Sequence, residues 1–233
     1  MFRLCLSLTA IALALMPSSP AADEAPKQAF NGKDLSGWKV KDEKKSKWKV
    51  CGAAVNPDKP AELAEAPLTT GTPYLTNLSS GGTDIFTEEK FDDVLVEVEF
   101  MYPKGSNSGV YLMGEYEVQI IDSFGKPDDK LGQGDLGGVY HNAAPKKNAA
   151  KKPGEWQKFV IEFQAPKFEG DKKVSNAKFV KVTLNDEVIH ENVEAKGSTG
   201  GGLTGKESAT GPLMFQGDHG PVAFRNIKIT PKK

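Results

Sequence analysis

The chain has 233 residues, a formal net charge of −1 and 38% hydrophobic residues. This length fits one large domain or two small ones. Without an excess of basic residues, the protein is not expected to bind nucleic acid through its phosphates. The sequence contains 24 glycines and 15 prolines, a composition that favours short strands and turns over long helices.

The one long apolar run is at the N-terminus, from Leu4 to Met16. It follows Arg3, is shorter than a bilayer span, and is succeeded by Ser19-Pro20-Ala21, whose small residues suit a signal peptidase. Residues 1–21 are therefore predicted to be a cleaved signal peptide. Residues 22–233 are predicted to form a single exported domain, periplasmic or secreted, without a transmembrane segment. An uncleaved N-terminal anchor is the alternative.

Short segments in which apolar and polar residues alternate recur along the rest of the chain. This pattern is typical of half-buried antiparallel strands. No segment keeps a helical period, so the sequence predicts an all-β fold of two packed antiparallel sheets. The predicted strands are Lys47–Val50, Ile85–Thr87, Val94–Met101, Gly109–Met113, Tyr116–Ile121, Trp156–Ala165, Lys178–Asn185, Val188–His190, Gly211–Gln216 and Val222–Ile229. The predicted loops are Lys126–Gly138, Ala143–Pro153, Lys167–Asn176 and Gly197–Lys206.

The strand Tyr116–Ile121 carries the most informative polar pattern. Residues two apart share one face of a strand, so Glu115, Glu117 and Gln119 line the same side. Such a row is costly in apolar surroundings unless the face is wet or occupied by a ligand. Carboxylates serve acid/base chemistry and accept hydrogen bonds from sugar hydroxyls. The alternative is an outer sheet face that is simply solvated.

Two further residues near the C-terminus are candidates for a site. His219 lies in Gly217-Asp-His-Gly220, between two predicted strands, where it could titrate near neutral pH or serve only as a turn residue. Arg225 is the only arginine after the predicted signal peptide. Its planar guanidinium suits a bidentate contact with a ligand, and a structural ion pair with a carboxylate is the alternative.

Five segments occur in order over roughly Gln28 to Thr230, namely Phe30–Trp38, Asn107–Tyr111, Glu115–Ile120, Gly154–Trp156 and His219–Ile229. Together they resemble the 3-keto-disaccharide hydrolase domain family. The resemblance implies a concanavalin A-like jelly-roll β-sandwich and substrates that are glycosides oxidised to a ketone at sugar carbon 3. This sequence departs from the family at Met113, where members often have a basic residue.

The resemblance and the polar strand together suggest roles for individual residues. Glu117 and His219 are predicted to be the acid/base pair of an elimination followed by hydration at the glycosidic bond. The predicted substrate-binding residues are Glu115, Gln119, Tyr111, Asp122 and Arg225, with Arg225 stabilising an enolate or carboxylate. The sequence leaves open a divalent cation held by the carboxylates, as well as the oligomeric state.

Two other classes of function remain as alternatives. The same type of sandwich serves as a lectin, so a noncatalytic carbohydrate-binding domain of the cell envelope is one of them. Trp38, Trp48 or Trp156 would then stack on sugar faces, although core packing is their more common role. A scaffold of the cell envelope is the other alternative.

The predicted signal peptide can be tested directly on exported protein. Cleavage after Ala21 gives a mature chain that begins at Ala22, or at Asp23 if one more residue is lost. N-terminal sequencing of material recovered outside the cytoplasm measures this. A chain that still begins at Met1 would contradict the prediction.

Overall fold

The computed structural model describes residues 24–68, 71 and 73–232, so the predicted signal peptide lies outside the described part of the chain. Within that part, no helix is long and apolar enough to cross a membrane. A short 3-10 turn, Asp128–Lys130, is the one helical element recorded there. The structure is otherwise built from strands and the loops between them.

The strands are, in chain order, β1 (Lys27–Gln28), β2 (Trp38–Val40), β3 (Trp48–Asn56), β4 (Lys59–Ala66), β5 (Tyr74–Asn77), β6 (Ile85–Thr87), β7 (Val94–Met101), β8 (Asn107–Leu112), β9 (Tyr116–Ile121), β10 (Gln157–Gln164), β11 (Lys167–Glu169), β12 (Lys172–Ser175), β13 (Ala177–Leu184), β14 (Glu187–Ala195), β15 (Met214–Phe215) and β16 (Val222–Pro231).

These strands form two main antiparallel sheets. The large sheet has the order β14-β13-β10-β7-β16-β5-β3-β4, with β1 added to β16, and the small sheet has the order β2-β6-β15-β8-β9. Strands β11 and β12 form a separate hairpin. The predicted fold class, an all-β jelly-roll sandwich of the concanavalin A-like type, is confirmed.

Aromatic side chains join the two sheets through the core. Phe215 of the small sheet stacks on Phe224 of the large sheet, with ring centroids 3.9 Å apart, and within the large sheet Phe100 stacks on Phe159 at 4.6 Å. All four rings are fully buried, and burial of each contributes roughly 1.5–3 kcal/mol. Because Phe215 points inward, its neighbours Met214 and Gln216 point to the outer face of the small sheet.

The sequence predicted Ile85–Thr87, Val94–Met101 and Tyr116–Ile121 with the bounds that the structure has. It missed β4, whose first four residues are exposed, and β5, which is buried on both faces. In both cases one-sided burial is lacking, so no alternation marks the strand. The prediction of a loop at Lys167–Asn176 is wrong, because this segment forms the β11–β12 hairpin.

Arg225 lies on the outer face of the large sheet, because the preceding residue, Phe224, points into the core. Its Nε donates to Glu99 Oε2 at 2.7 Å, and its guanidinium lies 4.0 Å from the centroid of the Trp156 ring. The ion pair that the sequence left as an alternative is therefore present. The expectation that Arg225 joins the site on β9 is not met, because β9 belongs to the other sheet.

This placement predicts a structural role for Arg225. Arg225→Ala removes the ion pair and the stack on Trp156, so we expect the free energy of unfolding to fall by about 1–2 kcal/mol. Urea denaturation measures the loss, and Arg225→Lys, which keeps the charge but not the planar stack, should lose less. Turnover of a 3-keto-glucoside should stay unchanged. A rate loss of about 100-fold or more at unchanged stability would contradict this role.

Candidate active site

The β8–β9 hairpin positions the polar row that the sequence predicted. Its turn is Met113-Gly114, with φ of 55° and 71°, and Glu115 N donates to Leu112 O at 3.1 Å. Two successive positive φ values are those of a type I′ turn, whose twist matches that of the strands. Three residues connect the paired Leu112 and Tyr116, and this short connection fixes the register of the hairpin, and with it the side chain that lies opposite each residue of β9.

A continuous row of outward-facing side chains crosses the small sheet. The register pairs β2 with β6, β6 with β15, β15 with β8 and β8 with β9. Because paired residues share a face, one row runs from a surface lysine through apolar side chains to a phenol and a carboxylate. The row consists of Lys39, Phe86, Met214, Tyr111 and Glu117.

Glu117 and Gln119 of β9 and Glu115 of the turn before it share this face, as predicted, and they are buried. Glu115 and Glu117 are 3% exposed and Gln119 is 5% exposed. The alternative of a plain solvated face is therefore wrong. Residues 137–140 pair along the free edge of β9, where Gln119 N donates to Gly138 O at 2.9 Å. A second segment, residues 199–205, closes over the face.

Glu117 lies in a space left by a missing side chain on the neighbouring strand. A Cβ on Gly109 would overlap Glu117 Oε1, so the carboxylate lies over Gly109. The Tyr111 hydroxyl donates a hydrogen bond to it, which lowers its pKa, but burial dominates and raises the pKa of Glu117 to about 7. The folded protein therefore keeps a proton that the unfolded chain releases between the ordinary value of 4.5 and about 7, so folding stability falls as pH rises through this window.

Other charged groups surround this carboxylate. Asp84 and Asp218 raise the pKa of Glu117, and His219 lowers it. His219 is exposed, and its Nδ1 lies 2.5 Å from Asp218 Oδ1. Asp84 is 5% exposed; burial raises its pKa as well, and it accepts a hydrogen bond from Gly217 N at 3.2 Å. The structure thus brings the predicted pair, Glu117 and His219, within electrostatic reach of each other.

Three amide side chains on the same face as Glu117 have an oxygen that accepts no hydrogen bond from any of the described residues. These are Gln119 Oε1, Gln216 Oε1 and Asn107 Oδ1. Gln119 lies opposite Gly109, and Gln216 N donates to Gly109 O at 3.0 Å, so the two glutamines flank the strand position over which the carboxylate lies. Buried acceptors normally have a donor. This face therefore offers acceptors for the hydroxyl groups of a ligand.

Asp84 and Gln216 lie at this site but were not predicted from the sequence. Asp84 directly precedes the predicted strand Ile85–Thr87, and Gln216 ends the predicted strand Gly211–Gln216. Polar residues at strand ends are a usable signal, but only the strand order of the small sheet brings these two next to β8 and β9.

Two predicted substrate-binding residues have their carboxylates occupied. Asp122 Oδ2 accepts from Gly105 N at 2.9 Å and Asp122 Oδ1 accepts from Phe124 N at 3.4 Å. Glu115 accepts from Thr204 and Gly205. Both carboxylates therefore hold loops.

Among the described residues, no group of three or more His, Cys, Asp or Glu side chains is arranged to hold a metal ion.

The chain is similar to two solved structures of candidate glycosyl hydrolases from Parabacteroides distasonis ATCC 8503. One has 26% sequence identity and a TM-score of 0.62, over 89% of this chain and 84% of the other. The second has 19% identity and a TM-score of 0.60, over 89% and 94%, and shows the fold alone. No curated protein matches the chain.

The model of the 3-keto-alpha-glucoside-1,2-lyase-like domain matches residues 25–230, nearly all of the described part of the chain. The family and the neighbour with 26% identity support a carbohydrate-active, glycoside hydrolase-like role. The chain belongs to the family of 3-keto-alpha-glucoside-1,2-lyase-like domains.

Proposed function

We propose that this protein is an exported hydrolase that cleaves 3-keto-glycosides, including 3-keto-disaccharides, by elimination and then hydration. The observation that carries the proposal is the buried Glu117 carboxylate, with a pKa of about 7 and a hydrogen bond from Tyr111. A base with this pKa is half ionised near neutral pH, where general acid–base catalysis is most efficient. The family to which the chain belongs is described by the same class of substrate.

The reaction begins at sugar carbon 2, whose hydrogen is acidified by the ketone at carbon 3. Glu117 takes this proton, and the electron pair passes through the enolate to form the C1–C2 double bond as the C1–O bond breaks. His219 gives a proton to the departing oxygen, which releases the aglycone as an alcohol. Water then adds across the double bond, so the second product is the 3-keto sugar. Atoms and charges balance without a redox step.

The surroundings of the two residues suit these roles. Glu117 is buried beside Tyr111, whose hydroxyl can stabilise the developing negative charge. His219 is exposed, and its Nδ1 contacts Asp218, so its Nε2 would be the atom that faces the leaving group. The unpaired oxygens of Gln119, Gln216 and Asn107 would accept hydrogen bonds from sugar hydroxyls, in line with the predicted role of Gln119.

Substitution of Glu117 tests the proposed role in catalysis. Glu117→Gln keeps the shape and removes the base, so we expect turnover of a 3-keto-glucoside to fall by about 100- to 10,000-fold. The fold should survive, because a neutral amide suits a buried position better than a carboxylate. The measurement is release of the aglycone by the purified protein, with circular dichroism to show that the variant is folded.

Glu97→Gln is the matched control for this experiment. Glu97 lies on the outer face of β7, where it forms an ion pair with Lys158 at 2.5 Å. Its loss should change stability by less than about 1 kcal/mol and leave turnover normal. Equal activity of both variants would remove Glu117 from the mechanism. Sugar binding without turnover by the wild-type protein would instead favour the noncatalytic carbohydrate-binding domain.

The raised pKa of Glu117 predicts a specific pH dependence. A base must be ionised to act, so the acid limb of kcat/KM should rise about tenfold per pH unit at low pH, with its midpoint near 7. The pH profile of aglycone release measures this limb, and Glu97→Gln should reproduce it. A limb with its midpoint near 4.5, the ordinary value for glutamate, would contradict the assignment of Glu117 as the base.

A further inference from the structure

Glu115 has a role that differs from that of Glu117, although both lie on the same face of the β8–β9 hairpin. We propose that Glu115 is a positioning residue, which fastens the glycine-rich loop of residues 199–205 as a roof over Tyr111 and Glu117. The kinetic part of this inference rests on the proposed function, whereas the structural part does not.

The Glu115 carboxylate is fully engaged by the end of this loop. Its Oε1 accepts from Thr204 N at 2.8 Å and from Thr204 Oγ1 at 2.7 Å, and its Oε2 accepts from Gly205 N at 3.0 Å. Glu115 is only 3% exposed. Hydrogen bonds to an ionised acceptor are about twice as strong as neutral ones, so this carboxylate holds the loop firmly.

The beginning of the loop is attached to the same strand. Glu117 N donates to Thr199 Oγ1 at 2.9 Å, and Thr199 N donates to Glu115 O at 3.0 Å. Leu203 N donates to Gly114 O at 2.8 Å. The loop is therefore anchored on both sides of its central glycines to the hairpin that carries the candidate base.

Between these anchors the loop passes directly over the phenol of Tyr111. A Cβ on Gly201 would lie 2.7 Å from the Tyr111 hydroxyl oxygen, and the residue has a φ of 67°. Only glycine accepts this conformation and this approach without strain. A Cβ on Gly202 would overlap Glu115 Oε2, so the loop is shaped on one side by the carboxylate that holds it and on the other by Tyr111.

The roof accounts for part of the burial of Glu117. Burial is the main cause of the raised pKa of this residue, and a loosened loop would admit water above Tyr111. Glu115 thus acts through the loop on the hydration of Glu117 and on the shape of the substrate site, without itself touching the reacting atoms.

Hydrogen exchange tests the attachment of the loop without any substrate. In Glu115→Gln one oxygen becomes an amide donor that faces the donors of the loop, so we expect the amides of Thr204 and Gly205 to exchange at least tenfold faster. Glu88→Gln is the matched control, because Glu88 is an exposed carboxylate paired with Lys39 at 3.1 Å. Unchanged exchange at both amides of Glu115→Gln would overturn the proposal.

The titration of Glu117, followed by carboxyl ¹³C NMR, tests the effect on the site. We expect its midpoint to move at least half a pH unit below the wild-type value in Glu115→Gln. Thr204→Val removes one donor without changing the charge and should move the midpoint in the same direction, whereas Thr204→Ser should restore it. A shift in Glu115→Gln alone would be a charge effect and would overturn the proposal.

Kinetics on a 3-keto-glucoside complete the test. Glu115→Gln should raise KM about tenfold and leave kcat within threefold, because the base is intact. A kcat loss as large as that of Glu117→Gln, at wild-type exchange rates, would place Glu115 among the catalytic residues and overturn the proposal.

If the wild-type protein fails to act on 3-keto-glucosides, the proposed function fails, while exchange and titration still decide the role of Glu115. If Glu115→Gln does not fold, Thr204→Val carries the same three measurements.

Discussion

Burial of the Glu117 carboxylate is the constraint on which the polar face of the small sheet depends. The space for it exists because Gly109 has no side chain. A buried carboxylate without strong partners costs several kcal/mol in its charged form, and here it has one phenol as a donor, with Asp84 and Asp218 opposing its ionisation. The pKa of Glu117 is therefore raised to about 7, close to neutral pH. Tyr111, Asp84 and Asp218 set the pKa of this carboxylate. Residues 137–140 and 199–205 cover the face on which it lies.

The aromatic core determines which side chains line the surroundings of Glu117. Phe215 and Phe224 stack across the two sheets, which fixes the inward face of β15 and leaves Met214 and Gln216 on the outward face. A shift of register by one residue would exchange the two faces, placing Gln216 in the core and removing it from the neighbourhood of Tyr111. The core and the candidate site are thus opposite faces of the same strands, and the stability of one sets the geometry of the other.

Alternation in the sequence was sufficient to put Glu115, Glu117 and Gln119 on one face of β9, but it could not show that this face is buried. The cover comes from residues 137–140 and 199–205, and period-2 alternation contains no information about such distant segments. Strand order is hidden for the same reason, which is why Asp84 and Gln216 were missed. Arg225 illustrates the converse error. Its rarity suggested function, whereas the side of the strand on which it lies assigns it to Glu99 and Trp156.

The segment from Gly197 to Lys206 is a predicted loop, and close packing explains two of its glycines. At Gly201 and Gly202 a side chain would collide with Tyr111 and Glu115, so glycine here reflects close approach and not flexibility. The same segment gives the carboxylates of Glu115 and Glu117 different hydrogen-bond partners. Glu115 receives three donors from Thr204 and Gly205, whereas Glu117 receives one phenol. Two glutamates on one face of the same hairpin therefore have different roles. Ample donors turn a carboxylate into an anchor, and a shortage of donors leaves it ready to take a proton.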